Sequence, residues 1–500
     1  MTWTTGRPIR TGADYVASLR GRGLAVYVSG ERVPEPVDHP LIRPSVNAMA
    51  ATYDLALAEP GLATADSPIT GERVNRFLHV TGSAGDVVAQ SRMQRRLGQI
   101  TGTCFQRCVG MDGINSVWSI TRDVDDAHGT GYHERFRDWV AEMQHLNLVI
   151  AGAMTDVKGD RSKAPSDQAD PDMYLRVVGR RADGVVIRGA KAHLTGAVNS
   201  HWLLVMPTTR LNEADRHYAV VCAVPVEAPG ITFVHARLPR RGPGADLDTG
   251  PVRYGGQEAL VIFDDVFVPT DRVFLDGEWE FAADLVQRFT SYHRRSYVCK
   301  SGVGDVLIGA AALIAEYNGV PNASHIRNKL AEMTQLNETI YGTGIAASHE
   351  SHETAAGNWE PDLALANVCK QNVTRFPYEI ARLAQDLAGG AVVTLPSDED
   401  VDHPEIGPLI DRYLRGRADI PTRDRLRVLE LIRDLTLGRN AVGYLTESLH
   451  GAGSPQAQRI VLRRAVDLEE QKTFAARLAG VEGAPEGTSD HRPGTGGEPA

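Results

Sequence analysis

Four residue types that bind metals or move protons lie close together near the middle of the chain. The stretch 291–300 contains His293, Tyr297, Cys299 and Lys300, and a long apolar helical pattern follows it directly. Histidine and cysteine ligate soft metals, and tyrosine transfers protons. A buried lysine either pairs with a carboxylate or loses its proton more easily. The segment therefore predicts a site for metal or proton chemistry.

The same residues also have structural explanations. Position 293 suits a hydrogen-bonded core or interface histidine, and position 300 suits a lysine that reaches solvent. His293 and Cys299 are six positions apart, which on a regular helix separates them by about 120° in azimuth. A bulge or a break is therefore needed to direct both side chains to one point, and such irregular turns are frequent at functional sites.

Cys104 and Cys108 form a second group. They are four positions apart, which on a helix predicts both sulfur atoms on one face, one turn apart. Such a pair can ligate a soft metal or an iron–sulfur cluster. The alternative is a pair of small buried hydrophobic residues, since unpaired cysteine is among the most buried residue types. The spacing alone favours this structural explanation.

Two carboxylates occupy positions suited to acid–base chemistry. Glu447 lies in YLTESLHGAG, just before a glycine-rich break, and Glu258 precedes an apolar strand. Each is a candidate general base. The alternative for each is a glutamate that faces water, and the sequence leaves both explanations open.

Two polar segments are candidates for cofactor contacts. The stretch 153–174 is a long loop of turn-forming and charged residues, and loops of that kind are usually functional or disordered. The donors and charges that suit a nucleotide cofactor there are Thr155, Lys158, Asp160 and Arg161. The stretch 191–202 adds Thr195 and Asn199. Neither matches a P-loop or a Gly-x-Gly-x-x-Gly fingerprint.

Periodicity predicts the elements that must position these residues. Helical spacing of apolar residues occupies three early segments, 44–60, 83–120 and 130–156. An alternating, β-branched pattern then predicts six strands, 173–181, 184–196, 202–210, 217–226, 231–238 and 259–269. Helical spacing returns in 301–319, 325–350, 361–390 and 422–451. Gly-Gly at 389–390 and Gly451 are the expected helix ends.

We therefore predict an α+β fold. An N-terminal helical domain spans 1–150, a β domain of barrel or sandwich type spans 151–275, and a helical bundle spans 276–480. The tail 481–500 is rich in Gly, Pro and Glu, which predicts disorder.

Composition excludes several classes of protein. The net charge of -10 argues against a nucleic-acid or anionic-membrane binder. Five scattered cysteines do not make a disulfide framework. Neither a signal-peptide pattern nor an apolar run of about 18 residues is evident. We expect a soluble, cytoplasmic protein.

Six motifs resemble those of the 4-hydroxyphenylacetate 3-hydroxylase superfamily, from about residue 5 to 480. They are TGTCFQRCVGMDG, TDVKGDRSKAPSDQADPD, RGAKAHLTGAVNSHW, YHRRSYVCKSGVGDVLIGAAAL, LANVCKQNVTRFPYEIARL and ESLHGAGSPQAQRI. The cysteines place the resemblance in the 4-hydroxybutyryl-CoA dehydratase/isomerase branch. It implies an acyl-CoA-dehydrogenase-like fold with a middle β-barrel, FAD, a homotetramer, and radical dehydration or isomerisation of a 4-hydroxyacyl-CoA substrate.

The resemblance also implies roles for individual residues. A [4Fe–4S] cluster is expected on Cys104, Cys108, His293 and Cys299. The expected catalytic residues are His293, Tyr297, Lys300, Glu447, Glu258 and Arg95, and the expected flavin contacts are Met154, Thr155, Lys158, Asp160, Arg161 and Thr195. One difference stands out. The branch has six residues between the ligand His and Cys, with Gly-Gly before the Cys, whereas this chain has five and Val298. The shorter spacing either turns Cys299 away from His293 or requires a different local backbone. A variant of the dehydratase branch without an intact cluster is therefore an alternative.

Two other hypotheses remain open at this point. The same superfamily contains two-component monooxygenases that hydroxylate phenols with reduced FAD from a flavin reductase. A third hypothesis is a non-catalytic scaffold that binds no flavin. Iron and flavin content of protein isolated without air distinguishes the three.

Overall fold

A computed structural model describes residues 7–237 and 247–481. The predicted disordered tail lies outside the described residues, apart from its first residue. The protein has a mixed α/β structure in which helices flank a central group of strands. The predicted boundaries at residues 150 and 275 stay predictions.

The helices form two groups, one before the strands and one after them. The first group is α1 (Gly12–Ser18), α2 (Arg43–Ala58), α3 (Pro60–Ala63), α4 (Ala84–Thr101), α5 (Cys108–His128) and α6 (Tyr132–Leu146). The second begins with α7 (Ala282–Ser296), α8 (Cys299–Tyr317), α9 (Ser324–His349), α10 (Leu363–Val373), α11 (Phe376–Ala388), α12 (Asp398–Asp402) and α13 (Gly407–Tyr413). It ends with α14 (Thr422–Thr436), α15 (Arg439–Ala441), a π-helix (Val442–Glu447), α16 (Ser448–His450), α17 (Pro455–Ala465) and α18 (Leu468–Leu478).

The strands include all six that the alternating pattern predicted. They are β1 (Ala25–Val28), β2 (Glu31–Val33), β3 (Thr64–Asp66), β4 (Arg73–Asn75), β5 (Ile150–Ala153), β6 (Arg176–Arg181) and β7 (Gly184–Thr195). The later ones are β8 (Trp202–Val205), β9 (Val220–Pro225), β10 (Ile231–His235), β11 (Glu258–Pro269), β12 (Val273–Asp276), β13 (His352–Glu353) and β14 (Trp359–Glu360).

The main strands form two sheets. One has the order β2-β1-β10-β11-β7-β6 and the other has the order β12-β9-β8-β5. The β-barrel implied by the resemblance is not confirmed, because each sheet has a linear strand order. Not all pairs are antiparallel: β1 pairs parallel with β10, and β5 pairs parallel with β8.

The predicted N-terminal helical domain also contributes to the larger sheet. β1 and β2 are joined by Ser29 and Gly30, with φ of 54° and 87°. Positive φ at both central residues characterises the type I′ turn, which suits a two-residue hairpin. The Ser-Gly dipeptide after the short apolar run AVYV was the sequence signal for this hairpin, and we did not predict it.

Four long helical predictions are wrong in detail. The segment 130–156 continues past the end of α6 into β5, and the segment 422–451 contains α14, α15, the π-helix and α16. The other two segments each contain two helices. The segment 83–120 is broken at Gly102, whose left-handed φ of 60° ends α4. The segment 361–390 is broken before Phe376-Pro377, where proline occupies the first turn of α11. Gly389 does end α11, and Gly451 ends α16, as predicted.

Two cores hold the fold together and meet near the break between α7 and α8. The larger core unites the sheets with α1, α2, α5 and α6, and the second lies inside the C-terminal helices. A smaller cluster between them contains Met93, Leu97, Phe105, Cys108 and Cys299. The residues predicted to do chemistry thus lie where the two halves of the chain pack together.

One stretch passes a simple test for a membrane span. Trp279–Tyr317 is the single stretch in the described ranges that is long and apolar enough to cross a membrane, and 67% of its apolar window is buried inside the protein. We had predicted no such stretch. Core helices pass the same test, so this is weak evidence for a span.

Candidate active site

Residues far apart in the sequence line one small cavity between the two halves of the chain. Glu258 is not among the lining residues, but three cysteines, one histidine and other residues predicted for chemistry are: Cys104, Cys108, Thr195, His293, Tyr297, Cys299, Lys300 and Glu447. Gln106, Val109 and Ser296 complete the wall. The cavity has a volume of about 20 Å³, enough for a single water molecule.

A break in the helix brings His293 and Cys299 to this cavity. α7 ends at Ser296 and α8 begins at Cys299. Between them the backbone makes bonds of the tighter i to i+3 type, from Val298 N–H to the Arg295 carbonyl (3.0 Å) and from Lys300 N–H to the Tyr297 carbonyl (3.0 Å). This is the irregular turn that the six-residue spacing required.

Cys104 and Cys108 reach the cavity differently from our prediction. Only Cys108 is helical, as the first residue of α5, whereas Cys104 lies in the loop after Gly102. The prediction that both lie on one helix face is wrong, because α4 ends before Cys104. Gln106, with φ of 65°, reverses the loop, and its amide donates to the carbonyls of Ser45 (3.1 Å) and Cys104 (3.3 Å).

A buried carboxylate that the sequence did not reveal orients His293. Asp112 is fully buried, and its Oδ2 lies 2.8 Å from His293 Nδ1. Ser296 donates to the other oxygen at 2.9 Å. Metal-binding histidines usually donate their second ring N–H to a carboxylate in this way. Asp112 therefore leaves Nε2 as the histidine nitrogen available to the cavity.

A second buried chain of hydrogen bonds holds Cys108. Gln94 donates to the Cys108 sulfur at 3.3 Å, and Arg295 donates to Gln94 Oε1 at 3.2 Å. Arg295 also donates to Gln90 at 2.9 Å and is fully buried. The position of the Cys108 thiol is thus fixed from behind by two helices, α4 and α7.

The three thiols differ in acidity. Burial and the charge of Glu447 raise the pKa of Cys104, while burial and a hydrogen bond with Cys299 raise the pKa of Cys108. The same hydrogen bond lowers the pKa of Cys299. In the described ranges no three His, Cys, Asp or Glu side chains converge as ligands of a single metal ion. A four-iron cluster has a different requirement, because each ligand binds a different iron atom.

Glu447 faces the cavity from a π-helix, not from the regular helix we predicted. The π-helix Val442–Glu447 precedes the short α16, and single π turns occur often at functional sites. Lys300 Nζ lies 3.2 Å from Glu447 Oε2 and donates to the Gly443 carbonyl at 2.9 Å. Burial lowers the pKa of Lys300, but the charge and hydrogen bond of Glu447 together with the neighbouring Cys299 and Cys104 thiols outweigh burial, so the net shift is upward.

Tyr297 completes this group. Its hydroxyl lies 3.4 Å from Glu447 Oε1. Burial and the charge of Glu447 raise the pKa of Tyr297 well above its usual range. The phenol therefore keeps its proton at neutral pH and can donate it, while Glu447 is the carboxylate paired with an ammonium group.

Glu258 lies behind this group, at the edge of the larger sheet. It opens β11 opposite Thr195, the last residue of β7, and the Thr195 hydroxyl donates to it at 2.8 Å. Burial and the charge of Glu447 raise the pKa of Glu258 well above its usual range. A carboxyl group whose pKa is raised in this way is typical of acid–base sites.

The predicted flavin loop follows β5 directly. Met154 and Asp156 are buried at its start, whereas Lys158, Asp160 and Arg161 are exposed. Burial lowers the pKa of His193, and the positive charges of Lys158 and His450 lower it further. The charges of Lys158, on this loop, and of His450, on α16, therefore both act on His193, two residues before Thr195.

Arg95 is not brought to the cavity. Its guanidinium donates to Asp305 (2.8 Å) and to Glu338, and it packs 4.2 Å from the centre of the Tyr341 ring. These contacts tie α4 to α8 and α9. The role that the resemblance implies for Arg95 stays a prediction.

Two family models cover nearly the whole chain. Residues 11–275 match the N-terminal model of 4-hydroxyphenylacetate 3-hydroxylase, and residues 282–480 match the C-terminal model. The chain belongs to the 4-hydroxyphenylacetate 3-hydroxylase family.

Within this family, the chain is similar to proteins of two activities. It is 50% identical, over 95% of its length and 100% of the relative's, to 4-hydroxybutyryl-CoA dehydratase/vinylacetyl-CoA-Δ-isomerase of Clostridium aminobutyricum. It is 27% identical to the oxygenase component of 4-hydroxyphenylacetate 3-monooxygenase of Thermus thermophilus, over 86% of this chain and 88% of the relative.

Solved structures agree with the family assignment. An oxygen-tolerant archaeal 4-hydroxybutyryl-CoA dehydratase from N. maritimus matches with a TM-score of 0.93 and 58% identity, covering 97% of each chain. The oxygenase component of 4-hydroxyphenylacetate 3-monooxygenase, complexed with FAD, matches with a TM-score of 0.81 over 94% of this chain and 98% of that chain. Its 24% identity supports the shared fold alone.

Lys191 is a further buried residue that the sequence did not single out. Its ammonium donates to the carbonyls of Met154 (3.0 Å) and Met206 (2.7 Å) and pairs with Asp156 at 2.5 Å. One side chain thus fixes the start of the loop that this family member is predicted to use for flavin.

We expect Lys191→Met to destabilise the protein by about 3–5 kcal/mol, because the buried Asp156 carboxylate loses its partner. It should also weaken flavin binding, because Met154 is released. Urea unfolding and flavin titration measure the two effects. The control is Lys329→Met, which removes a surface ion pair with Asp386. Equal stability of the two variants would contradict the assignment of Lys191.

Proposed function

We propose that this protein is an FAD- and [4Fe–4S]-dependent dehydratase and double-bond isomerase of a 4-hydroxyacyl-CoA thioester, with 4-hydroxybutyryl-CoA as the reference substrate. The observation that carries the proposal is one cavity lined by three thiols, an imidazole, and the Lys300–Glu447–Tyr297 group. The similarity to dehydratases supports it. We further propose a cytoplasmic homotetramer.

The donor set suits a cluster. Three thiols and one histidine line the cavity, and iron–sulfur clusters are held mainly by thiolates. Asp112 orients the imidazole as a metal-binding histidine requires. A cluster is larger than the cavity, so the hydrogen bond between Cys108 and Cys299 must give way when one is held. We assign Cys104, Cys108, Cys299 and His293 as its ligands.

The flavin is assigned to the cleft between the larger sheet and the helical half. Met154, Thr155, Lys158, Asp160, Arg161 and Thr195 are the proposed contacts, on the loop after β5 and at the end of β7. The FAD complex of a protein with the same fold supports this assignment. A barrel-like, acyl-CoA-dehydrogenase-like arrangement of the strands is part of the same proposal.

The residues of the chain perform the proton steps. Dehydration removes the hydroxyl from C4 and a hydrogen from C3, which the thioester does not acidify directly. Bound flavin would supply a one-electron oxidation that is reversed within the same cycle, so that dehydration is redox-neutral, and cluster iron would supply a Lewis acid for the hydroxyl. Glu447 takes the acidic proton at C2, and the Lys300 ammonium stabilises the charge that develops there. Tyr297 donates a proton to the departing hydroxyl, which leaves as water, and His293, which also lines the cavity, accepts the proton from C3. The proton held by Glu447 returns to C4 of the product. Glu258, whose pKa is raised by burial and by the charge of Glu447, lies beside them.

The test is a direct assay of protein isolated without air. We expect about four iron atoms and one flavin per chain, and release of water from 4-hydroxybutyryl-CoA to give an unsaturated acyl-CoA. Visible absorbance, iron and sulfide analysis, and mass spectrometry of the thioester are the measurements. Absence of iron combined with oxygen-dependent hydroxylation of a phenol, with a flavin reductase present, would instead support the two-component monooxygenase. A chain that binds no flavin would support the scaffold hypothesis.

A further inference from the structure

Lys370 is a fully buried lysine beside the cavity that the proposed proton steps do not use. It lies on α10, within the motif LANVCKQNVTRF, and is 0% exposed. Its Nζ lies 3.7 Å from the centre of the Tyr297 ring and donates to the Ser448 carbonyl. A single side chain therefore contacts both the break that carries Tyr297 and the turn that follows Glu447.

The burial of this ammonium group is costly. Within the described part of the chain, no carboxylate oxygen forms a salt bridge with its Nζ; Glu447, whose charge acts on Lys370, forms its salt bridge with Lys300. Burial lowers the pKa of Lys370 to about 7. A buried polar group without a charged partner destabilises the folded state. The contacts that Lys370 makes with the Tyr297 ring and with the Ser448 carbonyl offset this cost.

Those contacts enclose the Tyr297 phenol from two sides. Lys370 lies against the face of the ring, in the geometry of a cation–π contact. At the hydroxyl end, a Cβ added to Gly451 would lie only 1.6 Å from Tyr297 Oη, so the backbone is packed tightly there. Movement of the ring toward Lys370 or of the hydroxyl toward Gly451 therefore requires one of these neighbours to move.

We propose that Lys370 is a positioning residue that joins α10 to the Tyr297 ring and to the Ser448 turn. It thereby keeps the Tyr297 hydroxyl in register with Glu447. It does not touch the cavity itself. For its effect on turnover this inference rests on the proposed function, but the contacts that it describes are independent of the substrate.

The first measurement follows the backbone rather than the reaction. In Lys370→Met, hydrogen–deuterium exchange of the peptide spanning 442–453 is expected to accelerate, because Ser448 loses its donor. Lys370→Arg is expected to keep slow exchange, since it retains a cation and a donor. Lys329→Met, on the surface of α9, is the control with unchanged exchange. Unchanged exchange in Lys370→Met would overturn the inference.

The second measurement follows turnover of the holoenzyme. Lys370→Met is expected to lower kcat by about 100-fold with KM nearly unchanged, as expected for misplacement of a catalytic group by about 1 Å. In Lys370→Ala, added ethylamine should restore part of kcat, whereas ethanol at the same concentration should not. Equal rescue by both would overturn the inference, because it would indicate simple filling of space.

The two failures can be told apart. If wild-type holoprotein with bound flavin does not dehydrate the thioester, the proposed function is wrong, and the exchange experiment alone decides the role of Lys370. If wild-type protein is active and Lys370→Met has an unchanged kcat, the proposed function stands and the positioning role is wrong.

Discussion

Replacement of Glu447 by glutamine is expected to lower kcat by about 10²- to 10⁴-fold, the usual contribution of a general base. Lys300 and Tyr297 donate to different oxygens of Glu447, at 3.2 and 3.4 Å in the native protein. Glutamine keeps one acceptor oxygen for one of these two donors, but it cannot take a proton. KM should change little, since the substitution removes an interaction that acts in the transition state and not in the binding of substrate. Initial rates of unsaturated thioester formation measure the effect.

A partial reaction makes this prediction more specific. If Glu447 removes the proton at C2, exchange of that proton with deuterium from solvent should slow in parallel with turnover. The control is Glu379→Gln, since Glu379 pairs with Arg382 on the surface of α11. A kcat within threefold of wild type, with deuterium exchange intact, would exclude Glu447 as the base.

Local patterns predicted the parts of the fold that depend on local physics. The alternation in 184–196 and 259–269 identified β7 and β11, because one face of each strand is buried against the core. Gly389 ended α11 as expected. Six positions do not make a whole number of helical turns, so the spacing of His293 and Cys299 predicted a break in the helix between them, and the structure has one. In each case the deciding information lies within about a dozen residues.

The remaining features depend on contacts between distant segments. Nothing near Asp112 indicates that it meets His293, 181 residues away. Lys191 and Lys370 lie inside apolar patterns, and their partners come from other elements. The π-helix that presents Glu447 is one extra residue per turn, which apolar periodicity does not resolve. The contacts between buried polar groups from distant segments could therefore be found only in the structure and not from the sequence.

Replacement of Cys108 by serine is expected to remove most of the iron while flavin binding persists. Cysteine binds iron as a thiolate, whereas a serine hydroxyl keeps its proton at neutral pH and is a harder ligand. The Gln94 donor that holds the thiol at 3.3 Å remains, so the fold should be retained. Iron and sulfide analysis, absorbance in the 400 nm region and flavin content are measured on protein purified without air.

Two further variants separate loss of a ligand from loss of structure. Cys222→Ser removes a buried thiol in β9 that does not line the cavity, and it should keep its full iron content. Asp112→Asn leaves all four proposed ligands in place but weakens the hydrogen bond that His293 Nδ1 makes with residue 112. The affinity for iron, measured by competition with a chelator, should therefore fall about 10- to 100-fold. Iron loss that increases from Cys222→Ser through Asp112→Asn to Cys108→Ser is expected only if the cavity thiols and His293 hold the metal. Equal iron content in all three would mean that the cavity acts through Glu447, Lys300 and Tyr297 alone.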